Sequence, residues 1–228
     1  MEEVKSGKYF GWDDPRTWSI QSIIKRGILP QAFKDFVISI GLNKQDITVP
    51  IDALYAINRS LIDKSTDRYY FVENPVELKV KNHPPELQSV GIPIHPDKDE
   101  TRIVHLKSLF ISKEDVSQLF GQEIRLLHLY NIKLSSELKK DSISSEYLSS
   151  ENKKIPKIQW VSSSVPARIL MPSGEWSEGI AESDIKNLKK NQIIQFERFG
   201  FVKFQGKSRQ KDKSGKSKEF YDFWFGHK

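Results

Sequence analysis

The 228-residue sequence contains no cysteine. That absence excludes a disulfide scaffold, a thiolate metal centre and a cysteine nucleophile, and it suits a reducing compartment. No apolar run approaches the roughly 18 residues that a membrane-spanning helix requires, and the opening MEEVKSGKYF has no apolar signal core. A soluble, cytoplasmic chain is expected. Glycine and proline together number 23, too few for a collagen-like or low-complexity protein. The phosphate-cradling pattern G-x-x-x-x-G-K-[ST] is missing, as is the G-x-S-x-G nucleophile elbow. The five histidines (His83, His95, His105, His128 and His227) never fall at the H-x-x-x-H spacing of a metal site. Asp13 and Asp14 form an adjacent carboxylate pair, but neighbours on an extended segment point apart. Capping or turn roles therefore suit them better than acid–base work. On its residues alone the chain reads as a binding module.

What is abundant is aromatic and basic. Twenty-five Phe, Tyr and Trp side chains exclude disorder throughout. The net charge of +6 is uneven: residues 186–228 carry a balance of +8 and residues 1–185 one of −2. A basic excess confined to one end of the chain points to nucleic acid or another anionic surface, or else to a solvated lysine-rich loop.

Hydrophobic spacing predicts three short helices over residues 17–63. Thr17 or Ser19 caps the first, which carries Ile20, Ile23 and Ile24 and stops at Gly27. Pro30 opens the second, with Phe33, Phe36, Val37 and Ile40 as its expected buried stripe and Gly41 as its stop. The third covers about 50–62, with Ile51, Leu54, Tyr55, Asn58 and Ile62 on one face. From Arg68 onward the period drops to two. RYYFV, VELKV and RIVHLKSLFI read as strands, and Ser112 begins a capping box for a short helix through about Phe120. EIRLLHLYNIKL alternates over 123–134 and reads as one central strand, which makes His128 a core or surface residue rather than a catalyst. Residues 135–157 are Ser/Lys-rich and read as a loop or long hairpin connection, in part disordered. KIQWVSS and PARILM restore strand character. NQIIQFERFGFVKFQ and EFYDFWFG are the most aromatic strands, and GKSRQKDKSGKSK between them reads as a mobile hairpin loop. Many short strands with frequent turns indicate β-barrels.

The segment GWDDPRTWSIQSIIKRGILPQAFKDFVISIGL, residues 11–42, resembles the class I glutamyl-tRNA synthetases of the archaeal and eukaryotic type. The resemblance continues through ALYAINRSLID, DRYYFVENPVELKV, IPIHP, EDV, GQEIRLLHLYNIKL, IIQFERFGFVKF and the terminal FWFGHK, in effect the whole chain. The family's HIGH-type motif, Rossmann catalytic domain and KMSKS loop are not in the sequence. The resemblance therefore implies a C-terminal, non-catalytic fragment of a cytoplasmic ligase that attaches glutamate to its tRNA using ATP and magnesium. No cofactor is expected in the fragment itself. The implied fold is mainly β, with a small N-terminal helical unit and two β-barrels of the anticodon-binding type. Residues 1–66 would hold the end of the catalytic region and a helical stem-contact unit. Residues 67–228 would form the barrels, with a distal barrel at roughly 135–185 and the chain then returning to the first. The partner would be the tRNA for glutamate, bound by a monomer. The sister glutaminyl-tRNA synthetases share these features, and a freestanding β-barrel interaction or scaffold protein is the alternative of another class.

Single-stranded anticodon bases can be splayed, stacked and read on their edges, and arginine's planar fork can bond a base or phosphate bidentately while stacking. By resemblance, Arg68 and Arg125 occupy positions where the glutaminyl enzymes place arginines around the anticodon. His128 and Lys133, on the same predicted strand as Arg125, and Arg198, beside a glycine that marks a bulge or tight turn, complete the expected anticodon set. Glu197 has either a structural or a functional role. Arg16, Lys25, Arg26 and Arg59 are expected to contact tRNA phosphates, which position RNA without specifying it. Lys207, Lys211, Lys213 and Lys216 in the basic run are expected to do the same. A surface ion pair or a solvated helix face remains the competing role for Arg68, Arg125 and Lys25.

Overall fold

The computed structural model describes residues 6–41, 48–134, 141–211 and 217–228. Helix α1 spans Ile20–Lys25, and the Ser19 hydroxyl accepts from the Ser22 N–H as its N-cap. Helix α2 runs Pro30–Ile40 with proline in its first turn, and helix α3 runs Ile51–Ile62. Gly27 and Gly41 end the first two at φ of +95° and +71°, a region that favours glycine. Their shared core is small: Ile23, Ile28, Ala32 and Leu54. The expected stripe on α2 is only partly buried: Phe36 packs against this core and Ile40 is half-buried, but the other two members are exposed. Phe33 is 36% and Val37 50% exposed, while Ala32 is the buried residue of that helix. The helix packs on α3 through Ala32 and, one turn further on, Phe36.

Two large sheets carry most of the rest of the chain, and each nearly closes on itself. The first holds seven strands: β1 (Arg68–Tyr69), β2 (Phe71–Glu73), β11 (Ser164–Leu170), β12 (Trp176–Glu182), β13 (Ile193–Phe196), β14 (Gly200–Lys211) and β15 (Ser217–His227). Their order is β1-β13-β14-β15-β11-β12-β2. The two edge strands are consecutive in the chain, so the single segment 68–73 pairs with β13 on one side and β12 on the other. Phe71, Ile169, Ile194, Phe196, Val202 and Phe223 fill this barrel.

The second sheet comprises β3 (Pro75–Lys81), β6 (Leu109–Ser112), β7 (Glu123–Leu126), β8 (Asn131–Leu134), β9 (Ser142–Ser149) and β10 (Lys157–Ile158), ordered β10-β7-β8-β9-β3-β6. Phe110 and Val161 exchange backbone hydrogen bonds at 2.8 and 2.9 Å, which joins the two edges. Its core includes Leu78, Ile111, Ile124, Leu126, Ile132 and Trp160. A separate ribbon pairs β4 (Ser89–Pro93) with β5 (Thr101–His105), and helix α4 spans Lys113–Gln118 behind the Ser112 cap.

Several expectations about the strands are corrected. Residues 123–134 are a hairpin, not one strand. Glu123 faces Lys133 and Ile124 faces Ile132, so even-numbered residues stay on the core face of both arms and the alternation runs through the turn unbroken. The RIVHLKSLFI run is divided between the ribbon and the second sheet. Residues 142–149, expected in a loop, form the β9 strand between β8 and β3; small Ser145 and Ile143 face inward there. Residues 135–140 lie outside the described residues. The segment 135–185 has no sheet of its own: β9 and β10 belong to the second sheet, β11 and β12 to the first. The expected loop at 206–218 is largely strand, since β14 extends to Lys211 and β15 starts at Ser217; residues 212–216 lie outside the described residues.

Candidate nucleic-acid interface

One hairpin turn in each of the two sheets has the same construction. In the second sheet, the Leu129 N–H donates to the Leu126 carbonyl at 2.9 Å, and His128 between them has φ +59°. In the first sheet, the Phe199 N–H donates to the Phe196 carbonyl at 3.0 Å, and Arg198 has φ +62°. Non-glycine residues seldom adopt this left-handed conformation, yet here each turn uses it to present an exposed basic side chain. Arg198 reaches Asp115 of α4 at 3.7 Å and keeps half its side chain in solvent. Partial desolvation, then the nearby cations Arg102, Lys157 and Arg125, hold the His128 imidazole below its ordinary pKa. Burial raises the pKa of the Glu197 carboxyl, against the opposing pull of Arg68, Arg102 and Arg198.

Arg68 opens β1 with its side chain 22% exposed, 3.5 Å from Asp63. Gln195 lies directly opposite it on β13. Among the described residues, Arg68 Nε and Gln195 Oε1 are buried without hydrogen-bond partners. Buried polar atoms are rarely left so, and this pair carries both a donor and an acceptor beside the Arg198 turn. Gln195 was not singled out in the sequence, where nothing distinguishes it from other strand glutamines.

Behind this surface, Arg102 of the ribbon makes a bidentate pair with Glu182 of β12, both bonds at 2.6 Å. Glu182 also accepts from the Tyr70 N–H at 2.6 Å, and Arg102 donates to the Pro93 carbonyl at 3.0 Å. Burial alone would lower the Arg102 pKa, but the hydrogen bonds it donates to the Glu182 carboxylate, with the attraction of that charge, outweigh it and the value is raised.

Other expected RNA contacts are placed elsewhere. Arg125 is 9% exposed: its Nη1 donates to Asn131 Oδ1 and to the Ser150 and Glu151 carbonyls, and its Nη2 to the Leu129 carbonyl. It holds the β7–β8 hairpin to the segment after β9, and its fork is not free to read a base. Arg26 is 1% exposed and donates to the Phe225 and Gly226 carbonyls and to the Tyr55 hydroxyl. Its role is to bind the helical unit to the last strand, which corrects the expected phosphate contact. Arg16 grips both oxygens of the fully buried Asp14 at 2.9 and 2.6 Å, and that side-chain pairing lowers the Asp14 pKa. The turn role expected for Asp14 is what the structure shows. Lys25 pairs with Asp13 at 2.5 Å and lies over the Trp224 ring. Lys133 is exposed between Glu123 and Glu146 of the neighbouring strands, an acidic setting. Arg59 is exposed on α3, and Lys207 is exposed 3.7 Å from Glu219 and over the Tyr221 ring. Lys211 closes β14, while Lys213 and Lys216 lie outside the described residues.

No helix among the described residues is long and apolar enough to cross a membrane, and among them no three His, Asp or Glu side chains converge on a metal site. Two nearly closed barrels, each presenting an exposed basic residue at a left-handed turn, define a class that comparison makes specific. Residues 66–150 and 157–205 each match a family described as "tRNA synthetases class I (E and Q), anti-codon binding domain". The chain belongs to that family. It is 39% identical over 212 residues to the glutamate–tRNA ligase of Pyrococcus abyssi (strain GE5 / Orsay), covering 88% of this chain and 37% of that protein. The glutamate–tRNA ligase of Methanococcoides burtonii is 36% identical over 208 residues, covering 89% of this chain and 36% of the relative. The chain thus spans little more than a third of the length of these relatives.

Proposed function

We propose that the chain is the anticodon- and stem-binding portion of a glutamate–tRNA ligase, acting on the tRNA for glutamate. The observation that carries this reading is the pair of like turns, one from each barrel, that present the exposed His128 and Arg198 and are each bonded by one of the consecutive residues Trp160 and Gln159. Arg68, directly across from Gln195 beside the Arg198 turn, keeps 22% of its side chain exposed, and its planar fork suits a base edge or phosphate. Exposed Arg59 and Lys207, with Lys211, Lys213 and Lys216 of the basic run, supply sequence-independent attraction to phosphate. In this reading the ligase reaction, with its ATP and magnesium, belongs to the parent protein beyond these 228 residues. The parent works in the cytoplasm as a monomer. Nuclease footprinting of a transcript of the tRNA for glutamate tests the reading: the chain should protect the anticodon loop and adjoining stem. Protection confined to the acceptor end, or none, would contradict it.

A further inference from the structure

The two turns are not held only by their own strands. Consecutive residues after β10 each send a side-chain N–H to one of them. Trp160 Nε1 donates to the Leu127 carbonyl at 2.9 Å, and Gln159 Nε2 donates to the Glu197 carbonyl. Side chains alternate on extended backbone, so one dipeptide reaches the turn of the second barrel with Trp160 and that of the first with Gln159. The dipeptide is itself fixed: the Leu127 N–H donates to the Ile158 carbonyl at 3.0 Å, and Val161 pairs with Phe110. Trp160 is fully buried and Gln159 is 7% exposed.

The bonded carbonyls occupy equivalent places. Leu127 and Glu197 are each the second residue of their turn, so each carbonyl belongs to the turn's central peptide. Flipping that peptide is what separates a type I turn, with its third residue at negative φ, from a type II turn, with that residue at positive φ. Type II turns ordinarily place glycine there, but these turns place His128 and Arg198 at +59° and +62°. Something outside the turns must oppose the flip back to the conformation that a residue with a side chain prefers.

We infer that Gln159 and Trp160 are positioning residues that lock both central peptides, and thereby aim Arg198 and His128 at a common RNA target. The inference rests on the anticodon-binding reading above and adds the device that sets the two contacts. One bonded dipeptide fixes the orientation of each turn and the spacing between them.

The test uses the 228-residue chain with two variants, Gln159→Met and Trp160→Phe. Each keeps an apolar body and removes the N–H that reaches the turn. A transcript of the tRNA for glutamate and an anticodon-changed version serve as probes, together with the intraresidue amide-to-α-proton NOE at residues 198 and 128. That NOE is strong only at positive φ. In Gln159→Met the NOE at Arg198 should weaken while that at His128 persists, and Trp160→Phe should show the reverse. The ratio of affinities for the two RNAs should fall by about fivefold or more in each, with the salt dependence of binding unchanged. A folded variant that keeps both its NOE and its ratio would overturn the inference and leave the anticodon reading standing. If the wild-type chain binds both RNAs equally, the anticodon reading fails and this inference with it. Loss of the fold in both variants would make the two residues purely structural, and would also overturn it.

Discussion

Asn58 donates from Nδ2 to Nε2 of His227 at 2.9 Å, joining α3 to the end of β15 across 169 positions. The amide is oriented by its other bonds: Oδ1 accepts from the Leu29 N–H and Nδ2 also reaches the Gly27 carbonyl. Nε2 of His227 is therefore the acceptor, and Nδ1 carries the proton toward the Lys228 carbonyl at 2.9 Å.

Burial, with smaller contributions from Arg59 and Arg26, holds the His227 imidazole below its ordinary pKa. The unfolded chain takes up this proton near pH 6.5 and the folded chain resists it. Stability from this group is thus present above that pH and is lost as pH falls toward the folded value. Urea midpoints should drop between about pH 7.5 and pH 5, and the drop should be smaller in His227→Gln. An identical drop in the variant would remove His227 from the pH response.

Arg26 should be a stability residue rather than an RNA contact. Its three partners lose their donor on truncation, and bonds to a charged group contribute about 1.5–3 kcal/mol each but not additively. Arg26→Ala should cost about 2–4 kcal/mol in denaturant melts. A loss under roughly 0.5 kcal/mol accompanied by weakened RNA binding would restore the phosphate role expected from sequence.

Backbone and side chain at the turn can be separated at Arg198. Glycine tolerates its +62° conformation and alanine does not, so Arg198→Gly should be more stable than Arg198→Ala by about 1 kcal/mol. Both lack the guanidinium, so both should lose RNA affinity alike. Equal thermal midpoints would show that the turn relaxes to negative φ.

On α2, Ala32→Leu should overpack the helical core and cost about 1–3 kcal/mol. Val37→Ala, on the exposed side, should stay within about 0.5 kcal/mol. The reverse order in chemical melts would return the buried stripe to Val37.

What sequence could reveal here follows from how local each signal is. Strand alternation and the glycine stops are local, so most barrel strands and all three early helices are readable along the chain. The hairpin at His128 is hidden because its pairing preserves parity and no glycine marks the turn, whereas Gly200 does mark the one at Arg198. The β9 strand is hidden because it buries serine. Arg125 and Arg26 have the chemistry of RNA contacts, but burial decides their use, and the carbonyls that Arg26 bonds lie 199 and 200 positions away. Gln159 carries no signal at all, since its partner is a backbone carbonyl of the other barrel.

The most direct measurement is a binding titration of the chain against the tRNA for glutamate and an anticodon-changed version, at one salt concentration, repeated with Arg198→Gly. The account predicts tighter binding of the unaltered RNA, by roughly five- to 150-fold for each bidentate base contact, and a smaller preference in the variant. Equal affinity of the wild-type chain for both RNAs would contradict it.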